Sequence, residues 1–135
     1  MQRTGNERTG NQLLNLPVAS KKVLVEGNIA AINADGYAEP ATKAEGLRVA
    51  GRIEKYCDNS LGEDGALTAE VKRGAFVWDN DGSIQNTDIL KPCYISDSTT
   101  VTITAEGSSF AGIILAVEPD GVTVDMAAQE PSSVA

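Results

Sequence analysis

The densest run of chemistry-bearing side chains in this sequence is Asp79-Asn80-Asp81-Gly82-Ser83. Oxygen-bearing residues crowded around a glycine suggest a calcium loop. An EF-hand loop needs oxygen ligands at its first, third and fifth positions, glycine at the sixth and a bidentate Glu at the twelfth. Setting Gly82 sixth puts Val77 first and Asp88 twelfth, so the first ligand is missing and the last is too short. The run reads instead as a hairpin tip, and no metal is expected. Lys43 with Glu45, and Ser108 with Lys91, pair reactive types but sit in no motif, and exposed charges are their default reading. No Gly-rich phosphate loop ending in Lys-Ser or Lys-Thr occurs. Histidine is absent, which removes the commonest general base and metal ligand and forbids a Ser-His-Asp or Cys-His site within one chain. Cys57 and Cys93 lack CxxC spacing, and two reduced thiols are expected in a cytosol, with a disulfide between them the other reading. Together these features predict a protein that is not an enzyme and carries no cofactor.

The elements that would position any site are strands. Asp35-Gly36, Asp64-Gly65, Asp81-Gly82 and Asp120-Gly121 punctuate the chain, and Asp-Gly between apolar runs is a hairpin signal because a type I′ turn needs positive φ at both central residues. Strands are predicted from Val23 to Ile32, over Leu47–Glu54 with Gly51 marking a bulge, from Ala69 to Trp78, over Val101–Thr104, as a buried run over Phe110–Val117, and over Val122–Met126. Helix signals are confined to a single turn around Asp88–Lys91, with an Asp cap and a proline stop, and a short piece between Leu61 and Thr68. Closely spaced short strands predict a mainly β fold, a small β-barrel or sandwich of short antiparallel strands. With six aromatic residues, the core must come from Val, Ile, Leu and Ala. Trp78 shares a strand face with Phe76 and reads either as a core residue or as an interface anchor.

The 135 residues fit one domain and carry a net charge of −8, unevenly spread. Residues 1–22 hold Arg3, Arg8, Lys21 and Lys22 against Glu7, a net of +3, which leaves −11 on the remainder. From Pro92 to Ala135 there are six acids and no Lys or Arg. So acidic a body repels phosphate backbones, and no nucleic-acid partner is expected. No apolar run approaches the ~20 residues of a spanning helix, and the polar start lacks the apolar run of a signal peptide. Three segments are expected: an extended N-terminal arm over 1–20, a β-rich body over 21–126 and a flexible tail over 127–135. The arm opens on a repeat, Arg3-Thr4-Gly5-Asn6 and Arg8-Thr9-Gly10-Asn11, with nothing apolar to bury. It continues as Leu13-Leu14-Asn15-Leu16-Pro17-Val18, which reads as an extended strip that docks on a neighbouring molecule. Partner-binding residues expected on these grounds are Arg3, Arg8, Leu13, Leu14, Leu16, Val18, Lys21, Lys22 and Trp78.

The C-terminal half has a recurring cadence. It runs Ala75-Phe76-Val77-Trp78, Asp81-Gly82, Asp88-Ile89-Leu90-Lys91-Pro92-Cys93-Tyr94-Ile95-Ser96-Asp97 and Thr100-Val101-Thr102, then Ala111-Gly112-Ile113-Ile114-Leu115-Ala116-Val117 and Asp120-Gly121-Val122-Thr123-Val124. This resembles the capsid cement, or head decoration, proteins of tailed bacteriophages, over roughly residues 23–126 and best from 74 onward. The resemblance implies a small barrel-like body with an N-terminal arm, forming homo-oligomers (trimers or dimers) on the capsid exterior, assembled in the host cytoplasm. It implies the major capsid protein as partner and carries over no catalytic residues. The other reading is a phage tail or baseplate module, or a carbohydrate-binding β module.

Overall fold

A computed structural model describes residues 13–131. Its twelve strands are Leu13–Pro17 (β1), Lys22–Leu24 (β2), Ile29–Ile32 (β3), Ala38–Pro40 (β4), Arg48–Ile53 (β5), Cys57–Asn59 (β6), Thr68–Lys72 (β7), Ala75–Asn80 (β8), Pro92–Ile95 (β9), Thr100–Thr102 (β10), Phe110–Glu118 (β11) and Gly121–Asp125 (β12). The expected mainly β barrel architecture is present. Five strands close into a barrel in the order β10-β8-β12-β11-β9, and five more form a sheet in the order β1-β7-β5-β3-β4, flanked by the β2-β6 ribbon.

The five-stranded sheet is antiparallel throughout and curls until its outer strands meet. Val18, just past β1, bridges Ala38 of β4, and the Ala19 N–H donates to the Ala38 carbonyl at 2.9 Å. The curl encloses Val18, Leu24, Ala30, Ala38, Ala50, Ile53, Ala69 and Val71, all buried. Alanine at four of these positions lets the strand backbones approach across the interior. One polar side chain completes the closure. Asn59 is 2 % exposed and reaches the carbonyls of Val18, Ala19 and Glu63 with its amide nitrogen at 3.0–3.1 Å. The Val18 and Glu63 carbonyls also accept from the Gly65 and Ala66 N–H groups, so without Asn59 the Ala19 carbonyl would be stranded, at about 1–3 kcal/mol.

In the sheet, β3 and β5 have two buried faces. Ala30 and Ala50 face the curl, whereas Ile29, Ala31 and Val49 pack against the barrel. The barrel interior is bulkier, built on Trp78, Ile84, Ile95, Val101, Ile114, Val122, Val124 and Met126. Strand alternation sets this filling: Trp78 points in and is 5 % exposed, while its neighbour Val77 points out and is 56 % exposed. The Trp78 indole N–H donates to the Met126 sulfur at 3.2 Å, and the ring meets Phe76 edge-on, with centroids 6.1 Å apart.

Several elements differ from the sequence expectation. Residues 13–20 belong to the body, because β1 pairs along its full length with β7. Pro17 is tolerated because β1 lies at an edge of the sheet. The Val18 N–H donates to the Leu67 carbonyl at 2.9 Å, so the missing proline donor falls on the unpaired side. The predicted strand from Ala69 to Trp78 is two strands, broken at Arg73-Gly74, where Gly74 has φ +155°. Only two of the four Asp-Gly pairs serve hairpins, β3–β4 at Asp35-Gly36 and β11–β12 at Asp120-Gly121. The Asp64-Gly65 pair joins strands of different sheets, and Asp81-Gly82 follows a strand whose partner β10 runs parallel to it. The helical turn is a 3₁₀ turn at Asn86–Asp88, and Leu61–Thr68 holds turns with no helix. The bulge falls at Gly51 as expected, with the β3–β5 register shifting beside it.

Candidate interaction surface

The residues expected to bind a partner do not form one surface. Arg3 and Arg8 lie outside the described residues. Leu13 is 43 % exposed at the start of β1, and Leu14 and Leu16 are half-buried, Leu16 against the curled-sheet core. Val18 is fully buried within that core, and Trp78 fills the barrel. Neither can contact another molecule, because in each case alternation directs the side chain inward. Lys21, held at φ +64°, and Lys22 are exposed beside the β2–β6 ribbon.

Exposed apolar side chains occur on both lobes: Leu61 is fully exposed and Tyr56 62 % exposed in the first, and four others lie on the barrel. Leu90 is 71 % exposed, Val77 56 %, and Ile89 and Leu115 41 % each. Their placement follows from the pairing. The Leu90 N–H donates to the Ile114 carbonyl at 2.7 Å, and the Ile114 N–H donates to the Lys91 carbonyl at 3.0 Å, so Leu90 runs beside the segment that carries Leu115. Leu115 occupies the bulge where the β11–β12 register shifts between Ile114 and Ala116, and a bulge re-aims the side chain it carries. Across β12, Thr123 pairs with Ala116 on one side and Val77 on the other. Val77 on β8 and Leu115 on β11 thus sit on the two staves that flank β12, with Ile89 and Leu90 in the turn beside β11.

Leu90 adopts φ +71°. A left-handed backbone is uncommon for a bulky side chain and persists where surrounding contacts impose it. Here those contacts are the bond to Ile114 and a turn tightened by Asp88, whose carboxylate accepts from the Gln85 N–H at 2.8 Å. The turn holds Leu90 out in solvent. Sequence reading put Phe76 and Trp78 on one strand face, which leaves Val77 on the other, but missed Leu90 and Leu115, since a continuous apolar run conceals which member a bulge turns outward.

The chemistry-bearing run closes on itself. The Asn80 side-chain oxygen accepts from the Gly82 N–H at 2.8 Å, and Asp81 accepts from the Ser83 N–H at 2.9 Å. Partial burial opposes the Asp81 charge, but hydrogen bonds from Ser83 and Thr102 outweigh it and hold the carboxyl below its ordinary range. At the β9–β10 turn, the Thr99 N–H bond holds Asp97 low in the same way. Among the described residues no three Cys, Asp or Glu side chains are grouped to hold a metal ion. Cys57 and Cys93 are free thiols, and burial drives the Cys93 thiol up to about 12, which makes it inert as a nucleophile. No described helix is long and apolar enough to cross a membrane.

Comparison of the chain with protein-family models, with curated proteins and with solved structures finds no match.

Proposed function

We propose that the chain is a capsid cement protein. It binds the outer surface of an assembled bacteriophage head and stabilises contacts between capsomers through the major capsid protein. One observation carries this reading. A barrel with no free strand edge, which cannot extend its sheet into a partner, presents exposed aliphatic side chains on its outer face, led by a leucine held in a left-handed turn. Exposed apolar side chains of this kind are what a protein contact would cover. A self-satisfied acidic loop and a buried, inert thiol fit a structural role. The C-terminal strand cadence that resembles decoration proteins falls on these same staves. The acidic body repels its neighbours in solution, so binding waits for a shell whose surface matches the face. Ligation to intact shells then favours them by mass action.

The test is binding of the purified full chain to mature, empty capsids of the particle that carries it. Leu90→Asp and Leu115→Asp, which alter exposed positions, are expected to weaken binding about tenfold each, in line with loss of an apolar interface anchor. Unchanged binding by both variants would move the contact elsewhere. Failure of the wild-type chain to bind any mature shell would refute the cement role.

A further inference from the structure

A cleft separates the curled sheet from the barrel where β5 passes β11. Its floor is apolar, formed by Leu47, Val49, Phe110 and Met126, and its volume is 180 Å³; it adjoins a 740 Å³ hollow that shares Leu47, Arg48, Phe110 and Glu130 with it. Three charged residues line it: Arg48, Arg73 and, from the segment after β12, Glu130. In a chain of net charge −8, two arginines converge on this one concavity. Neither has a carboxylate within ion-pair distance among the described residues. Arg73 is fixed in place, because its guanidinium donates to the Met126 carbonyl at 2.9 Å. Arg48 is exposed at the mouth.

Glu130 is weakly held. Past the bond from the Ala127 N–H to Asp125, residues 128–131 make no backbone hydrogen bond to the described residues. Glu130 nevertheless lines both the cleft and the adjoining hollow, where it acts on Tyr94. Burial, and next the negative charge of Glu130, raise that phenol above its ordinary range. The segment thus brings a carboxylate to a cationic cleft without being anchored there.

We infer that this cleft is a recognition site for an extended acidic segment of a partner protein, with Glu130 as an in-chain competitor for it. The partner's carboxylate meets the Arg48 and Arg73 guanidiniums, which favour planar bidentate acceptors. A neighbouring apolar side chain lies on the Leu47–Met126 floor. Entry requires the 128–131 segment to swing aside, which its lack of backbone bonding allows. This site is separate from the aliphatic barrel face and stands or falls independently of the capsid reading.

The probe is a fluorescent nine-residue peptide copying residues 127–135, made with Glu or with Gln at the position of Glu130. It is titrated against the full-length wild-type chain, Glu130→Gln, and Glu130→Gln combined with Arg48→Glu. Glu130→Gln is expected to bind the Glu peptide at least fivefold more tightly than wild type, since a negative charge at the cleft is removed. The Gln peptide is expected to bind at least fivefold more weakly than the Glu peptide, and Arg48→Glu to abolish binding. Arg48 is exposed, and circular dichroism with urea unfolding checks that this variant keeps its fold. Equal binding of the two peptides, or no binding to Glu130→Gln at millimolar peptide, would overturn the site. Wild-type protein that dimerises through Arg48 without peptide would assign the cleft to a second copy and overturn the partner.

Discussion

Two lobes of five strands each lie side by side in this chain, and they solve the problem of filling a small β interior in different ways. The barrel is packed with large side chains, Ile84, Ile95, Ile114, Trp78 and Met126 among them, and closes completely. The curled sheet is lined by four alanines with a few larger aliphatics, and its outer strands meet at a single bridge. Where side chains are large, apolar contact alone defines the closure. Where they are small, the gap left at the seam is finished by a polar group, and Asn59 takes that part. The barrel should therefore respond to lost volume, and the curled sheet to lost hydrogen bonds.

Four experiments press on that contrast, in descending order of effect. Ile114→Ala, at a fully buried barrel position, should lower unfolding free energy by about 3–5 kcal/mol, read from urea denaturation. A loss under 1 kcal/mol would mean that the barrel collapses around the gap and is no better filled than its neighbour. Thiol labelling of the native chain should modify half-buried Cys57 roughly a hundredfold faster than buried Cys93. Equal rates would place both lobes at the same ease of opening. Asn59→Ala should cost about 2 kcal/mol by stranding the buried Ala19 carbonyl, with Asn59→Leu no better although it is larger and apolar. Rescue by leucine would show that the curled sheet, too, is governed by volume.

The smallest effect is on acid stability. The folded carboxyls of Asp81 and Asp97 sit below their unfolded values, so their contribution is complete above about pH 4 and fades as pH falls through the folded values. Both belong to the barrel. Asp97→Asn should lower the melting temperature slightly near pH 7 and converge with wild type as pH falls below about 4, which flattens the acid limb. An unaltered acid limb would take the Thr99 bond out of the barrel's account.

Much of the strand map was legible because it is local. Alternation marked β5 and β12, Gly51 marked the bulge, and Asp35-Gly36 and Asp120-Gly121 marked hairpins whose strands are sequence neighbours. The β8–β10 pairing was illegible because it is parallel and joins residues separated by all of β9. The place of β1 was hidden for a related reason. Leu14, Leu16 and Val18 alternate as a strand requires, but the proline and the polar repeat before them read as an arm until β7 supplies a partner. The aliphatic barrel face was half legible. Residue parity gave Val77, whereas Leu90 owes its outward aim to a backbone angle that leucine disfavours and that a bond to Ile114, more than twenty residues along, imposes.

The Arg73-Gly74 break has a consequence for biogenesis. Every strand of the curled sheet precedes it in the chain, and every stave of the barrel follows it. On a ribosome the first lobe can therefore mature while the second is still being made, with Ile29, Ala31 and Val49 facing water until β12 has emerged to join β8 and β11. A nascent chain stalled in that interval would carry a finished sheet with one sticky side, the state most in need of a chaperone.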